Sequence, residues 1–313
     1  MKQRTMAKHK TTSLVCRDND MELMTFLLAK MGGMSRNSVK QLLAHRQVQV
    51  NGKVETRFDY VLHSSDTVQV TSGAPKHELV HPRLRMVYED DSLIVVEKGV
   101  GLLTVPTFAG SNETSVFSLL KHYVRQDNPR AGIYVVHRLD RETSGLLVFA
   151  KTPELQEYMR TYWRQLVSKR TYIALAEGII TPAEGKITTW LTEDKRTTRV
   201  YSSNEDNGGK IAITNYKVIR RTEPETDDVN NIKRSYSLVE LNLETGRTNQ
   251  IRVHLSGIGH PVVGDRKYGS GASPSLDRLA LHARILEFIH PVTEQTLRFE
   301  TPVPREFLHV FHG

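Results

Sequence analysis

The sequence predicts an α+β protein: a small N-terminal α/β unit joined to a larger body built on a mixed, mainly antiparallel sheet. Three observations carry that expectation. Short apolar runs of strand length recur through the body, with sparse helix-like stretches near residues 116–124 and 153–163, a pattern of hairpins rather than the regular crossovers of a doubly wound sheet. Residues 21–72 instead combine two short helical patterns with a few short strands. The charge divides in the same place: of 43 Lys and Arg and 35 Asp and Glu in 313 residues, 14 basic and 7 acidic fall in residues 1–85 and 29 and 28 in the rest. A basic module on a near-neutral body suggests an attachment that grips a polyanion.

Composition narrows the class further. Apolar residues at 38% leave enough to bury a core, and charged residues stand at 25%. The single cysteine, Cys16, can make neither an intramolecular disulfide nor a thiolate zinc site, which fits a reducing cytosol. No apolar run approaches the roughly 18 residues that span a bilayer. The basic start MKQRTMAKHK is followed by Arg17-Asp18-Asn19-Asp20 before an apolar signal core can form. A cytoplasmic protein without a membrane partner is expected.

In chain order, residues 1–20 are polar and charged and are expected to form a mobile basic arm. Residues 21–31 place Leu23, Phe26, Leu27 and Met31 at helical spacing and stop at Gly32-Gly33. Ser35 is a good N-cap for a second helix carrying Val39, Leu42 and Leu43. Val48 and Val50, the Asn51-Gly52 turn, then Val68 and Val70 read as strands. Residues 73–85 hold Gly73, Pro75 and Pro82 with no apolar period, and read as a linker to a body of residues 86–313. From Leu23 to Val54 the chain carries Lys30, Arg36, Lys40, Arg46 and Lys53 and no acid. Arg36 and Lys40 share one side of the second helix. A solvated charged face is one reading; the missing partner acids favour phosphate contact. The stretch SRNSVKQLLAHRQVQVNGKVETRFDYVLHSSDTVQV resembles the small RNA-binding domain typical of ribosomal small-subunit protein four. That resemblance implies RNA contact by Arg36, Lys40, Arg46 and Lys53.

In the body, strand-like runs lie at residues 93–96, 133–136, 146–149 and 172–176, and the polar breaks at 202–210, 223–231 and 270–275 read as surface loops. The most unusual stretch is I-Y-V-V-H-R-L-D-R-E-T-S-G-L-L-V-F-A, residues 133–150. Two buried-looking strands flank a segment that packs Arg138, Asp140, Arg141 and Glu142 around Leu139. A charged surface hairpin is the plain alternative. Yet turns are usually built from Gly, Asn and Pro, so this segment reads as a loop held in place.

A single carboxylate restricts the chemistry. Hydrolytic glycosidases need a second carboxylate or another base, and none stands in comparable company. His137, His254, His260 and His282 show neither HExxH spacing nor a Cys partner for a metal. Ser144 lies in T-S-G-L rather than a G-x-S-x-G elbow, and Gly257-Ile258-Gly259 lacks the further glycine of a dinucleotide fingerprint and reads as a helix end. One Asp flanked by Arg points to covalent or base chemistry without a metal. Three other segments accompany it. Residues 98–106, K-G-V-G-L-L-T-V-P, place Gly99 and Gly101 beside an apolar strand, where backbone can approach closely. Residues 169–175 put Tyr172 in a strand behind Lys169 and Arg170. Residues 245–255 begin a helix at Thr248 and Asn249 whose apolar stripe is Ile251, Leu255 and Ile258, which leaves Arg252 on another face, free to pair with a buried carboxylate. Taken singly, Tyr172 reads as a packed strand tyrosine and Arg252 as an ordinary exposed helix residue.

Together these segments resemble the RluA-type RNA pseudouridine synthases. H-R-L-D-R-E-T-S-G-L-L-V-F-A-K is similar to that family's loop motif, and T-G-R-T-N-Q-I-R-V-H-L, G-H-P-V-V-G-D-R-K-Y-G and L-A-L-H-A-R-I-L-E-F-I-H-P-V-T extend the likeness through residues 85–306. Two positions depart from the family pattern: Asn249 stands where His is usual and Gly99 where Pro is common. The resemblance implies a body with a central cleft and an enzyme that isomerises uridine in RNA. The bond from ribose to a ring nitrogen breaks, the uracil rotates, and a bond to a ring carbon forms; no atom enters or leaves, so no cofactor is implied. It also implies extrusion of the uridine, with Arg138 filling the vacated stack. Asp140 matches the essential aspartate, acting as nucleophile or as base; Arg252 is its charge partner, and Tyr172 stacks on the uracil and aids proton removal. The attached N-terminal module points to large-subunit ribosomal RNA or a pre-ribosomal particle as partner, with transfer RNA as the alternative, and a monomer is expected. A non-catalytic RNA-binding or ribosome-assembly protein on the same fold is the chief rival, ahead of a metal-dependent nuclease.

Overall fold

A computed structural model describes residues 10–32, 34–44, 47–72, 79–108, 110–222, 225–227, 232–269 and 276–311. Expectations for Arg46, for residues 1–9 and for the loop at 270–275 lie outside the described residues. The chain divides into two units, Met1–Glu78 and Leu79–Gly313.

The first unit runs β1 (Lys10–Val15), β2 (Met21–Glu22), α1 (Leu23–Lys30), α2 (Arg36–Ala44), β3 (Val48–Val50), β4 (Lys53–Val54), β5 (Val61–Leu62) and β6 (Thr67–Ser72). An antiparallel sheet of order β1-β6-β3-β4 carries the two helices, and β2 pairs with β5. The helical spacing seen in the sequence buries Leu23, Phe26 and Leu27 of α1 and Val39, Leu42 and Leu43 of α2 against Val48, Val50, Val68 and Val70. Ser35 accepts the Ser38 amide at 3.1 Å, as an N-cap does. Asn51 and Gly52, with φ of 51° and 78°, close the β3–β4 hairpin.

The mobile arm expected over residues 1–20 is corrected for its second half. Lys10–Val15 pairs with β6 along its whole length, from Lys10 opposite Ser72 to Val15 opposite Thr67, and Cys16 is buried in the unit's core. Charge and polarity suggested a free segment. The β-prone run T-T-S-L-V instead covers the edge of β6, whose backbone groups would otherwise lack partners.

The second unit runs β7 (Leu84–Glu89), β8 (Leu93–Lys98), α3 (Val116–Asp127), β9 (Tyr134–Val135), β10 (Ser144–Ala150), α4 (Pro153–Thr161), α5 (Trp163–Leu166), β11 (Val167–Glu177), β12 (Glu184–Glu193), β13 (Val200–Ser203), β14 (Lys210–Arg221), β15 (Glu225–Asp227), β16 (Ile232–Arg234), β17 (Tyr236–Leu243), α6 (Gln250–Gly257), β18 (Leu281–Ile289) and β19 (Thr296–Glu300). Its main sheet has the order β13-β12-β14-β17-β11-β18-β10-β8-β7, with β9 paired to β10 and β19 to β18. The β10–β18 pair is parallel; the other pairs are antiparallel. The α+β expectation therefore holds. The polar break at 223–231 is not all loop, because β15 and β16 form a small hairpin there.

Strand alternation builds two cores from one sheet. Ile94 and Val96 of β8 and Leu147 and Phe149 of β10 face α3, through Val116, Leu120 and Tyr123. Leu93, Val95, Leu146, Val148 and Ala150 face the other way, toward Met159 of α4 and Leu166 of α5. A strand covered on both faces reads as a continuous apolar run, which is why S-G-L-L-V-F-A contains no outward polar position.

Candidate active site

Residues 136–143 connect β9 to β10 and carry the arginine and aspartate singled out above. The exit is rigid. Ser144 lies opposite His282 and Gly145 opposite Ala283 in the parallel pairing with β18. Gly145 has φ of 117°, and a Cβ there would lie 2.2 Å from the Ala283 carbonyl oxygen; only glycine lets the loop enter the strand at this approach. Inside the loop Leu139 is buried in the core, while Arg138 before it is exposed and Asp140 after it is partly exposed. The apolar residue in the charged run is the anchor that turns its neighbours outward. His137 also turns in: its Nε2 accepts the Val148 amide at 3.2 Å and its ring packs against that of Trp163, centroids 4.9 Å apart and tilted by 39°. Burial first, then the charge of Arg170, holds its pKa well below the usual imidazole value.

Lys98 closes β8 with its side chain fully buried beneath this loop, donating to the carbonyls of Gly99, Leu102 and Arg141 at 3.0, 2.8 and 2.9 Å. Burial pulls its pKa down to about 7, against the opposing charges of Glu142 and Asp140. Gly99, one departure from the family pattern, gives its amide to the Arg83 carbonyl at 2.7 Å, a bond that proline cannot make.

Arg252 projects from the first turn of α6. Its Nε and Nη2 grip Asp265 Oδ2 and Oδ1 at 2.7 and 2.8 Å, and its Nη1 donates to Asp140 Oδ2 at 3.3 Å and Asn249 Oδ1 at 3.2 Å. The Asp265 side chain is 0% exposed and also accepts the amides of Lys267 and Tyr268. Burial opposes both charges, yet the bidentate pair outweighs it, holding the Asp265 carboxyl below its ordinary value and the Arg252 guanidinium above. The Asp140 side chain, at 31%, is the exposed member. Asn249, the second departure, sits in the left-handed region at φ 53°, a conformation asparagine tolerates. Its amide donates to the Tyr268 hydroxyl at 2.9 Å, and the Tyr268 ring lies 5.2 Å from the Arg252 guanidinium.

Tyr172 enters from β11. It lies opposite Ala283 of β18, at a register shift between Thr171 and Tyr172, and Gly145 flanks the same Ala283 from β10. Tyr172 and the exit of the Asp140 loop therefore stand at one level of the sheet, two strand spacings or about 10 Å apart. The extra residue at that shift is Arg284 of β18; Tyr172 is buried with Leu139 in the same core and its hydroxyl accepts from Arg170 at 3.3 Å.

The structure thus brings Asp140 and Arg252 into contact, places Tyr172 at the level of their loop, and leaves Arg138 exposed without a hydrogen bond or ion pair to any described residue. Arg36, Lys40 and Lys53 are exposed in the other unit. Sequence reading missed Asp265, the principal partner of Arg252, and the roles of Lys98 and Tyr268. A signal existed: Asp265 follows the buried pair Val262 and Val263 and Gly264, whose φ of 74° marks a turn. Among the described residues no group of three His, Cys, Asp or Glu side chains is placed to hold a metal, and no helix is long and apolar enough to cross a membrane.

The second unit thus sets one partly exposed aspartate on a clamped loop against a mostly buried arginine, with a strand tyrosine at the same level of the sheet. Residues 92–257 match the model of the RNA pseudouridylate synthase family and residues 21–68 that of the S4 domain. The chain belongs to the RNA pseudouridine synthase family, in its RluA-type branch, and is an isomerase of that class with an RNA-binding S4 domain. It is 33% identical over 277 residues to an uncharacterized RNA pseudouridine synthase of Bacillus subtilis, YhcT, covering 87% of this chain and 86% of that protein. A ribosomal large subunit pseudouridine synthase D of Vibrio parahaemolyticus is 35% identical over 293 residues, 88% of this chain and 85% of its own. Among solved structures, human RNA pseudouridylate synthase domain containing 1 superposes with a TM-score of 0.54 at 26% identity, over 71% of this chain and 86% of that one.

Proposed function

We propose that this synthase modifies uridine in large-subunit ribosomal RNA, in the cytoplasm, by flipping the nucleotide out of its stack and reacting it at Asp140. The reading rests chiefly on one observation: the Asp140 carboxylate is partly exposed on a clamped loop while its arginine partner is fixed from behind by a wholly buried carboxylate. Arg252 has two of its donors committed to Asp265 and offers Nη1 to Asp140. It therefore aims an anion without capturing it, as a group that must add to the ring or sugar, or remove a proton, requires. Arg138, two residues earlier and without a hydrogen bond or ion pair among the described residues, fills the space a flipped base leaves. Tyr172 supplies a ring to stack on the uracil and a hydroxyl for proton transfer. The ribosomal target is supported by the name of the Vibrio relative and by the exposed Arg36, Lys40 and Lys53 of the S4 domain.

Pseudouridine mapping by primer extension in total RNA from cells with and without the gene identifies the target; a missing mark in transfer RNA alone overturns the ribosomal assignment. Asp140→Asn should bind that RNA as the wild type does and form no pseudouridine, and product at the wild-type rate rules out its role. Tyr172→Phe keeps the ring and should turn over slowly; full activity removes the hydroxyl from the mechanism.

A further inference from the structure

We infer that Thr104 is a positioning residue for the reaction, holding the backbone that aims Asp140. The inference rests on the reading of Asp140 as the reacting group. Thr104 is 2% exposed. Its Oγ1 donates to the Leu139 carbonyl at 2.7 Å and accepts the Leu139 amide at 3.1 Å. One hydroxyl thus meets both backbone groups of the residue lying between Arg138 and Asp140. Leu139 is buried, where backbone groups need partners; it belongs to no strand, so the threonine side chain stands in for a neighbouring peptide.

The far side of Asp140 is held in the same way. The Arg141 carbonyl accepts the Gly101 amide and the Lys98 ammonium, both at 2.9 Å. Asp140 is thereby bracketed by two pinned residues, whereas among the described residues its carboxylate makes one long contact, 3.3 Å to Arg252. The aim of the carboxylate is set by its backbone more than by its side-chain bonds. Thr104 is itself fixed: the Val116 and Phe117 amides of α3 donate to the carbonyls of Leu103 and Thr104 at 2.8 and 3.1 Å. A rigid path runs from the first turn of α3 through the Thr104 hydroxyl to Leu139 and on to Asp140, and segment 98–104 serves as the template on which the loop is laid.

Thr104→Val preserves shape and removes the hydroxyl; Thr104→Ser preserves the hydroxyl. Single-turnover pseudouridine formation is measured on total RNA from cells lacking the gene, at the positions wild-type enzyme modifies, as a function of enzyme concentration, with thermal unfolding in parallel. Thr104→Val should lower the maximal rate by about ten- to a hundredfold with the half-saturating concentration within about twofold of wild type, and Thr104→Ser should restore the rate to within about threefold. If Thr104→Val does not fold, Thr104→Ala takes its place in the same comparison. A valine or alanine variant at the wild-type rate, a loss that falls on RNA affinity instead of rate, or a serine variant as slow as valine overturns the role of Thr104. Asp140→Asn run beside them separates the two readings: if it is active, the reading of Asp140 fails, and if it is inactive while Thr104→Val is not, only the inference about Thr104 fails.

Discussion

Asp265 and Lys98 are two buried charges that the fold tolerates for opposite reasons. Asp265 accepts two bonds from Arg252 and two from backbone amides, so the ionised form is the one the native state binds. Removing such a partner strands Arg252, and Asp265→Asn should cost about 3–5 kcal/mol in urea unfolding at neutral pH. Because the native carboxyl titrates below its ordinary value of 3.8, that stabilisation is complete above about pH 4 and fades as the pH falls through the lowered native value; the gap to the variant should close in acid. Lys98 runs the other way. Its native pKa is lowered from 10.5 to about 7, so between those values the unfolded chain holds a proton that the native one has released, and stability rises with pH. Relative to Lys98→Met, wild type should gain stability from pH 7 to 10 in parallel urea titrations, and parallel profiles would refute the shifted lysine.

Among the elements, β10 and β18 decide where the loop residues go. Their parallel contact covers just Ser144 and Gly145, directly after the turn that carries Asp140. Gly145→Ala would put a methyl group into the Ala283 backbone at a φ that L-residues avoid. We expect a loss of about 3 kcal/mol or more by thermal or urea unfolding, with activity falling further than at an ordinary core site because the entry to β10 shifts with the loop. β18 also contributes an irregularity: it passes over Arg284 between Ile285, opposite Thr171, and Ala283, opposite Tyr172, so the tyrosine stands level with Gly145 of β10 instead of one residue away.

For the molecule as a whole, the proposed RNA contacts and the proposed reacting group fall on different units of the chain. Arg36, Lys40 and Lys53 are exposed in the first unit, and the Asp140 and Arg252 pair belongs to the second. Replacing all three cations with Gln should weaken RNA binding and flatten the slope of log affinity against log salt by about 2, while the single-turnover rate on saturated enzyme stays at the wild-type level; an unchanged salt slope removes these residues from the interface. The sequence by itself determined what depends on near neighbours in the chain. Helical spacing named the apolar faces of α1 and α2, the run S-G-L-L-V-F-A marked a strand covered on both sides, and the charged segment around Leu139 stood out as a held loop. Motif likeness then supplied Asp140, Tyr172 and Arg252 as candidates. Tertiary structure decided what depends on partners far away in sequence. That Lys10–Val15 would cover the edge of β6 rather than move freely, that Arg252 would give its strongest bonds to Asp265, and that Thr104 would occupy both backbone groups of Leu139 had no local mark. Periodicity reports which side of a residue faces the core, whereas the identity of the group waiting there is fixed only when separate segments are packed together and every buried charge and amide has to find a partner.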